Sequence, residues 1–399
     1  MSLKFAKRMD NMKASDIREM LKLTQKPEVI SFAGGLPAPE LFPVEEMKLV
    51  LAKVMDEYGT VALQYGPTEG FEPLREKILD RMAKLKVDDL TIDNILITSG
   101  SQQGLDFMAK AFINPGDVIL CESPTYLGAI NAFRAYEPRF IEVETDDDGM
   151  ILEDLEEKLR ENDNVKFIYV IPDFQNPSGR TMSIERRKGL VDIANKYNVA
   201  VVEDNPYGEL RFEGEIYPAI KHYDTEGRVI FLGTFSKIFS PGLRVGWIAA
   251  DEEVLRKFIL IKQGADLQSP TINQIAVAKF LDHYDIEAYI DRIKKVYKRR
   301  KDLMLNTIRE EFPEGIKVTD PDGGLFTWLV LPPHINAREL SIKALEKNVA
   351  YVPGGSFFPN GGNENTLRVN YSNMEEERIV EGVRRLAQVF KEALEKIEA

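Results

Sequence analysis

Apolar residues fall along this chain in short runs, separated by stretches in which they recur every third or fourth position. The runs Ile95–Thr98, Val118–Cys121, Phe140–Val143, Phe167–Ile171, Val199–Glu203, Val229–Gly233 and Val245–Ala249 have the length and β-branched make-up of buried strands. The stretches between them are largely of helical period. Strands alternating with helices predict an α/β fold, a doubly wound and mostly parallel sheet of seven strands, which binds ligands at the carboxyl ends of its strands. After Asp251 helical patterns run to about Glu311. Short runs at Ile316–Thr319, Phe326–Leu331, Val349–Val352 and Leu367–Asn370, with a last helix from Glu375, then predict a smaller α+β domain.

Ahead of the first run, helices are expected at Ser15–Leu23, Val44–Tyr58 and Pro73–Leu85. Between the first two lies S-F-A-G-G-L-P-A-P-E-L-F-P, Ser31 to Pro43, with two glycines and three prolines in thirteen residues. So many breakers demand a shaped loop, and its interleaved Phe32, Leu36, Leu41 and Phe42 suit a packed one at a domain junction. The expected division is residues 1–45 as an N-terminal arm, a helix and part of the small domain, 46–290 as the large domain, and 291–399 as the rest of the small one.

With 399 residues, 44% of them hydrophobic and 29% charged, the chain can bury a sizeable core. No apolar stretch approaches the ~18 residues of a membrane span, and the start M-S-L-K-F-A-K-R lacks the apolar core of a secretory signal, so a cytoplasmic protein is expected. The single Cys121 has no disulfide partner, and His222, His283 and His334 are too scattered to predict a metal site. Fifty-two basic against 65 acidic residues leave a net charge of −13, which argues against nucleic acid as a partner.

The chemistry concentrates at strand ends. After Val229–Gly233 comes T-F-S-K-I-F-S-P-G-L-R, Thr234 to Arg244, which delivers Lys237 among Phe235, Ile238 and Phe239. Burial penalises the charged form of an amine, and a lysine kept neutral can form a Schiff base with a carbonyl. Arg244, seven residues on, offers a planar fork for phosphate, with Ser236 and other hydroxyls nearby. Taken alone, the stretch equally fits a lysine at a corner and an ordinary surface arginine. I-T-S-G-S-Q-Q leads from a strand into a helix beginning near Ser101, so the free amides of Ser101 and Gln102 suit a phosphate or simply mark a capped helix start. E-S-P-T-Y puts Tyr126 where a ring can lie against a flat cofactor or fill the core. V-V-E-D-N-P-Y brings Asp204 to the end of a buried strand, where it either faces a cation such as a pyridinium or starts a turn, and Tyr207 follows. Asn176, in P-D-F-Q-N-P-S-G-R, is placed to donate into the same crevice.

Taken together, the motifs S-F-A-G-G-L-P, Q-Y-G-P-T-E-G, S-G-S-Q-Q, N-P-S-G, E-D-N-P-Y, S-K-I-F-S-P-G-L-R-V-G and V-P-G-G-S-F-F resemble, in order and spacing, those of class I aminotransferases of fold type I. The resemblance is nearest to the 2-aminoadipate and kynurenine aminotransferases. It implies pyridoxal 5'-phosphate as cofactor, L-amino acids and 2-oxo acids as substrates, and a homodimer with shared active sites. By the same resemblance Lys237 holds the cofactor and moves the substrate's proton, Asp204 faces the ring nitrogen, Asn176 and Tyr207 face the ring hydroxyl, and Tyr126 stacks on the ring. Ser101, Gln102, Ser236 and Arg244 would bind the phosphate, with Tyr65 reaching it from the partner subunit. Arg368, in L-R-V-N, would clamp the substrate carboxylate with Asn176 and backbone at Gly35, and Arg18 would meet the side-chain carboxylate of acidic substrates. Asn205 departs from the second acid usual there. The alternatives are another reaction on the same cofactor, such as decarboxylation or β-elimination, and the ligand-sensing half of a transcription regulator, which works without turnover.

Overall fold

The computed structural model describes residues 3–12 and 26–398 of the chain. Its strands are β1 (Ile30–Ser31), β2 (Ile95–Thr98), β3 (Val118–Ser123), β4 (Arg139–Asp146), β5 (Gly149–Met150), β6 (Val165–Val170), β7 (Ala200–Asp204), β8 (Val229–Thr234) and β9 (Gly246–Ala249). They continue with β10 (Lys317–Val318), β11 (Phe326–Val330), β12 (Val349–Ala350), β13 (Val352–Pro353) and β14 (Thr366–Asn370). The main sheet runs β2-β9-β8-β7-β6-β3-β4-β5. Neighbours from β8 through β4 are parallel, whereas β9 is antiparallel to both of its neighbours and β5 is antiparallel to β4. All seven expected strands are present. The eighth, β5, is a two-residue hairpin return too short to leave a pattern in the sequence.

Alternation along the central strands explains why both faces of this sheet are covered. Ile119, Cys121, Phe167, Tyr169 and Val202 enter one apolar cluster, together with Leu105 and Met108 of the helix Ser101–Phe112 and Phe133 of Leu127–Arg134. Val118, Leu120, Ile168, Val170 and Val201 enter another, against Leu155 and Leu159 of Leu152–Glu161 and Leu190 and Ala194 of Ile184–Tyr197. The carboxyl ends of β6, β7 and β8 thereby open at one edge of a rigid slab.

The second sheet, β10-β11-β14-β13, is antiparallel and lies near the C-terminus. The expected run Val349–Val352 is divided: Val349 and Ala350 pair in parallel with β1, and Val352 and Pro353 pair with β14. Tyr351 turns between them, fully buried with its hydroxyl donating to Ala337 O at 2.6 Å. The breaker-rich loop after β1 is packed only in part, since Leu36, expected inside, is 47% exposed and Leu41 and Phe42 are half-buried. Phe32 and Ala33 are buried, Tyr297 Oη accepts from Ala38 N at 3.0 Å, and Ser372 Oγ donates to Leu36 O at 2.8 Å. Among the described residues no helix is long and apolar enough to cross a membrane. The expected helix at Ser15–Leu23 lies outside the described residues.

Candidate active site

Lys237 stands just past β8, where the chain leaves the sheet. Phe235, Ile238 and Phe239 are buried on either side of it, which fixes the turn and directs the amine into a cavity of about 360 Å³. Lys237 Nζ donates to Gly35 O at 2.7 Å. Burial lowers the amine to about 8, and the nearby cations Arg368 and Arg244 push in the same direction, against the pull of Asp204. A substantial fraction of the amine is therefore neutral near pH 8, and a neutral amine is a nucleophile.

Asp204 ends β7 and lines the same cavity. Burial raises its carboxyl to about 7, opposed by a hydrogen bond from Tyr169 and by Lys237. Tyr169 Oη donates to Asp204 Oδ2 at 2.9 Å, whereas Oδ1 is buried with no partner among the described residues. A buried carboxylate oxygen without a donor is costly, so this one is built for a group that brings one. Tyr207, three residues on, packs edge-on against Phe326 at 6.0 Å, and burial holds its phenol far above the ordinary range.

Arg368 descends from β14, one of the two strands paired on both sides in the small sheet. It is 1% exposed, lies over the Phe326 ring at 4.1 Å, and donates to Asn176 Oδ1 at 2.7 Å and Ala33 O at 2.6 Å. Among the described residues no carboxylate pairs with it, and burial lowers it to about 10. A desolvated guanidinium without a counter-charge at a cavity wall suits a carboxylate. Asn176 is held by its own loop: Gln175 donates to Pro124 O at 2.6 Å and accepts from Ser178 N at 2.9 Å, while Thr319 Oγ1 donates to Ser178 O at 2.9 Å.

The other end of the cavity combines a helix start with the side chains around it. The helix Ser101–Phe112 starts there, and two glycines let other groups approach it. A Cβ on Gly100, at φ +70°, would lie 2.3 Å from Arg244, and one on Gly246 would lie 2.8 Å from Ser101 N. Arg244 Nη2 donates to Ser99 O at 3.0 Å, its Nη1 lies 3.5 Å from Ser236 Oγ, and Ser236 Oγ accepts from Thr234 Oγ1 at 2.9 Å. Ser101, Gln102, Ser236 and Arg244 thus surround a helix N-terminus, an arrangement suited to an anion.

Eleven of the thirteen residues singled out in the sequence line this one cavity: Gly35, Ser101, Gln102, Tyr126, Asn176, Asp204, Tyr207, Ser236, Lys237, Arg244 and Arg368. Tyr65 does not, being 77% exposed on its own chain, and Arg18 lies outside the described residues. The cavity also draws on Ile171, Pro206, Thr234, Pro241 and Phe326. Phe326 carried no polar signal that could have found it, and Tyr169 read only as one more apolar position of a strand. The odd residue Asn205 has a local cause. Its Nδ2 donates to both Asp173 Oδ2 and Glu203 Oε1 at 3.2 Å, and its Oδ1 accepts from Gly208 N at 3.0 Å, so an acid there would add a third buried carboxylate.

Comparison with known proteins bears on this arrangement. Residues 38–386 match the family profile of aminotransferase class I and II. An aromatic-amino-acid aminotransferase of Thermococcus litoralis is 47% identical over 98% of this chain and 95% of its own length. A 2-aminoadipate transaminase of Thermus thermophilus is 44% identical over 97% and 96%. Among solved structures, the kynurenine aminotransferase of Pyrococcus horikoshii, crystallised with PMP, superposes with a TM-score of 0.93 at 46% identity, covering 98% of this chain and 97% of the other. A lysine, an aspartate and a helix-borne anion site meeting in one cavity, within a match that spans nearly the whole chain, place this protein among the class I and II aminotransferases.

Proposed function

We propose that this aminotransferase uses pyridoxal 5'-phosphate to move an amino group from an L-amino acid, such as 2-aminoadipate, glutamate, or an aromatic or branched-chain amino acid, to a 2-oxo acid such as 2-oxoglutarate. The observation that carries the reading is the lone Asp204 Oδ1, a buried acceptor that a protonated ring nitrogen would satisfy. The rest of the cavity fits the same group, with an anion site at its far end and an amine lowered to about 8 between the two. When bound, the cofactor supplies a carbonyl that condenses with amines and a ring that withdraws electrons from the substrate.

The chain's own residues do the rest. Lys237 Nζ holds the cofactor at rest and, once free, takes the proton from the substrate's α carbon. Asp204 holds a proton on the ring nitrogen by its charge. Tyr207 and Asn176 would face the ring hydroxyl, and Tyr126, which lines the same cavity, would stack on the ring. Arg368 grips the α-carboxylate, and its contact with Asn176 joins the carboxylate site to the ring site. Ser101, Gln102, Ser236 and Arg244 anchor the phosphate.

Arg18 serves substrates with an acidic side chain. Residues 46–290 carry the cofactor, 291–399 with 1–45 form the second domain, and the protein acts in the cytoplasm. It works as a homodimer in which Tyr65 reaches the partner's phosphate. Two observations support the dimer: Leu63, Tyr65 and Leu267 are 73%, 77% and 52% exposed, and they flank the contact in which Gly66 N donates to Gln268 Oε1. A panel of amino donors with 2-oxoglutarate, scored for glutamate and the new 2-oxo acid, tests the reaction, and release of CO₂ or ammonia instead would replace it with a decarboxylase or a β-lyase. Mixing Lys237→Ala with Tyr65→Ala chains under subunit exchange should restore activity if Tyr65 acts across the dimer. In Arg18→Ala the specificity constants for 2-aminoadipate and glutamate should fall about 10- to 150-fold, and those for leucine and phenylalanine much less.

A further inference from the structure

Tyr169 is fully buried on β6 and does not line the cavity. β6 and β7 run parallel with Tyr169 level with Val202, so alternation puts Tyr169, Val202 and Asp204 on one face of the sheet, with Asp204 diagonal to Tyr169. Its ring packs edge-on against Phe133, with centroids 5.6 Å apart and planes at 81°. A phenylalanine would pack there equally well, so packing alone does not explain the hydroxyl. That hydroxyl donates to Asp204 Oδ2 at 2.9 Å.

A carboxylate is an acceptor at both oxygens, and its plane is free to turn unless one oxygen is held. Here one oxygen is held from behind, by a group rooted in the neighbouring strand, and the other is left bare. We infer that Tyr169 is a positioning residue for the aminotransferase reaction: by occupying Asp204 Oδ2 it fixes the plane of the carboxyl and presents Oδ1 to the ring nitrogen of the cofactor. The inference rests on the reading of Asp204 given above. Tyr169 touches neither substrate nor cofactor, and acts through Asp204 alone.

The same bond favours the ionised carboxyl. Burial drives Asp204 up to about 7, and Tyr169 opposes that more strongly than Lys237 does. Among the described residues, the other titratable groups around the pair are Tyr207, near Asp204, and Tyr126, Glu122 and Cys121, near Tyr169; Cys121 stands level with Tyr169 on β3, and burial raises its thiol and keeps it neutral. Of these, Glu122 is raised by burial to about 8 and brings little charge at neutral pH. Without the hydroxyl, a proton shared between Asp204 and the ring nitrogen shifts toward the carboxyl, and the ring loses part of its positive charge.

The experiment uses holoenzyme loaded with pyridoxal phosphate labelled with ¹⁵N in the ring, and follows the nitrogen resonance as a function of pH. Tyr169→Phe should move the resonance toward its unprotonated position and shift its titration by about one pH unit, with kcat lowered about tenfold and KM within about twofold. Site-specific 3-fluorotyrosine at position 169, a stronger donor of nearly unchanged shape, should move it the opposite way and covers the case in which Tyr169→Phe does not fold. Asp204→Asn is the reference. If it shifts the resonance while both changes at 169 leave it at the wild-type position, the inference is overturned and the reading of Asp204 stands. If Asp204→Asn also leaves it unmoved, that reading fails and the inference falls with it.

Discussion

The two ends of the cavity are built in opposite ways. At the ring end Asp204, Tyr207 and Arg368 are at most 4% exposed, and burial pushes Asp204 and Arg368 toward neutrality. At the phosphate end Gln102 and Arg244 lie exposed, and Leu63, Tyr65 and Leu267 stand uncovered on the same chain. On the proposed reading the ring end carries the chemistry, where a charge is most effective when water is absent. On the same proposed reading the phosphate end carries affinity, and its exposed Gln102 and Arg244 leave it open to an anion. Substitutions at the first should therefore alter rate, and those at the second should alter binding.

The largest effect is expected from Asp204→Asn. Loss of the charge opposite the ring nitrogen should lower kcat about 10³-fold while the protein still binds cofactor, as single-turnover kinetics and absorbance would record. Arg244→Ala comes next and tests the other end. It should weaken cofactor binding about 10- to 150-fold, with kcat at saturating cofactor changed little, and a large fall in that saturated kcat would break the contrast.

A third expectation concerns pH. Lys237 lies at about 8, against 10.5 for an ordinary lysine, and only its neutral form attacks a carbonyl. Recombination of cofactor-free protein with pyridoxal phosphate should therefore quicken about tenfold per pH unit up to about pH 8 and then level off. A rate still climbing at pH 10 would mean that the amine is not depressed. The smallest change is Asn205→Asp, behind the ring end. Adding a carboxylate to Asp173 and Glu203 should cost about 1–3 kcal/mol of stability at neutral pH. The added acid would have a raised pKa in the folded state, so the cost should be present above the usual carboxylate range and disappear as the pH falls below about 4.

The main sheet was legible because parallel strands buried on both faces leave unbroken apolar runs, as at Phe167–Ile171. β5 was not, since two residues make no pattern. The run Val349–Val352 read as one strand although its halves pair with different partners, because side-chain alternation reports burial and not which strand lies alongside. The site was legible wherever a polar residue interrupted an apolar run at a strand end, as Lys237 and Asp204 do. Phe326 and Tyr169 escaped for the converse reason. Each sits where the pattern calls for a large apolar residue, and only the three-dimensional register sets one beneath Arg368 and the other behind Asp204.

The contrast between the two ends depends on Lys237 being the residue that bonds to the cofactor. Reduction of the holoenzyme with borohydride followed by peptide mapping measures this directly. The label should be found on Lys237, in the peptide T-F-S-K-I-F-S-P-G-L-R; a label on any other lysine would contradict it.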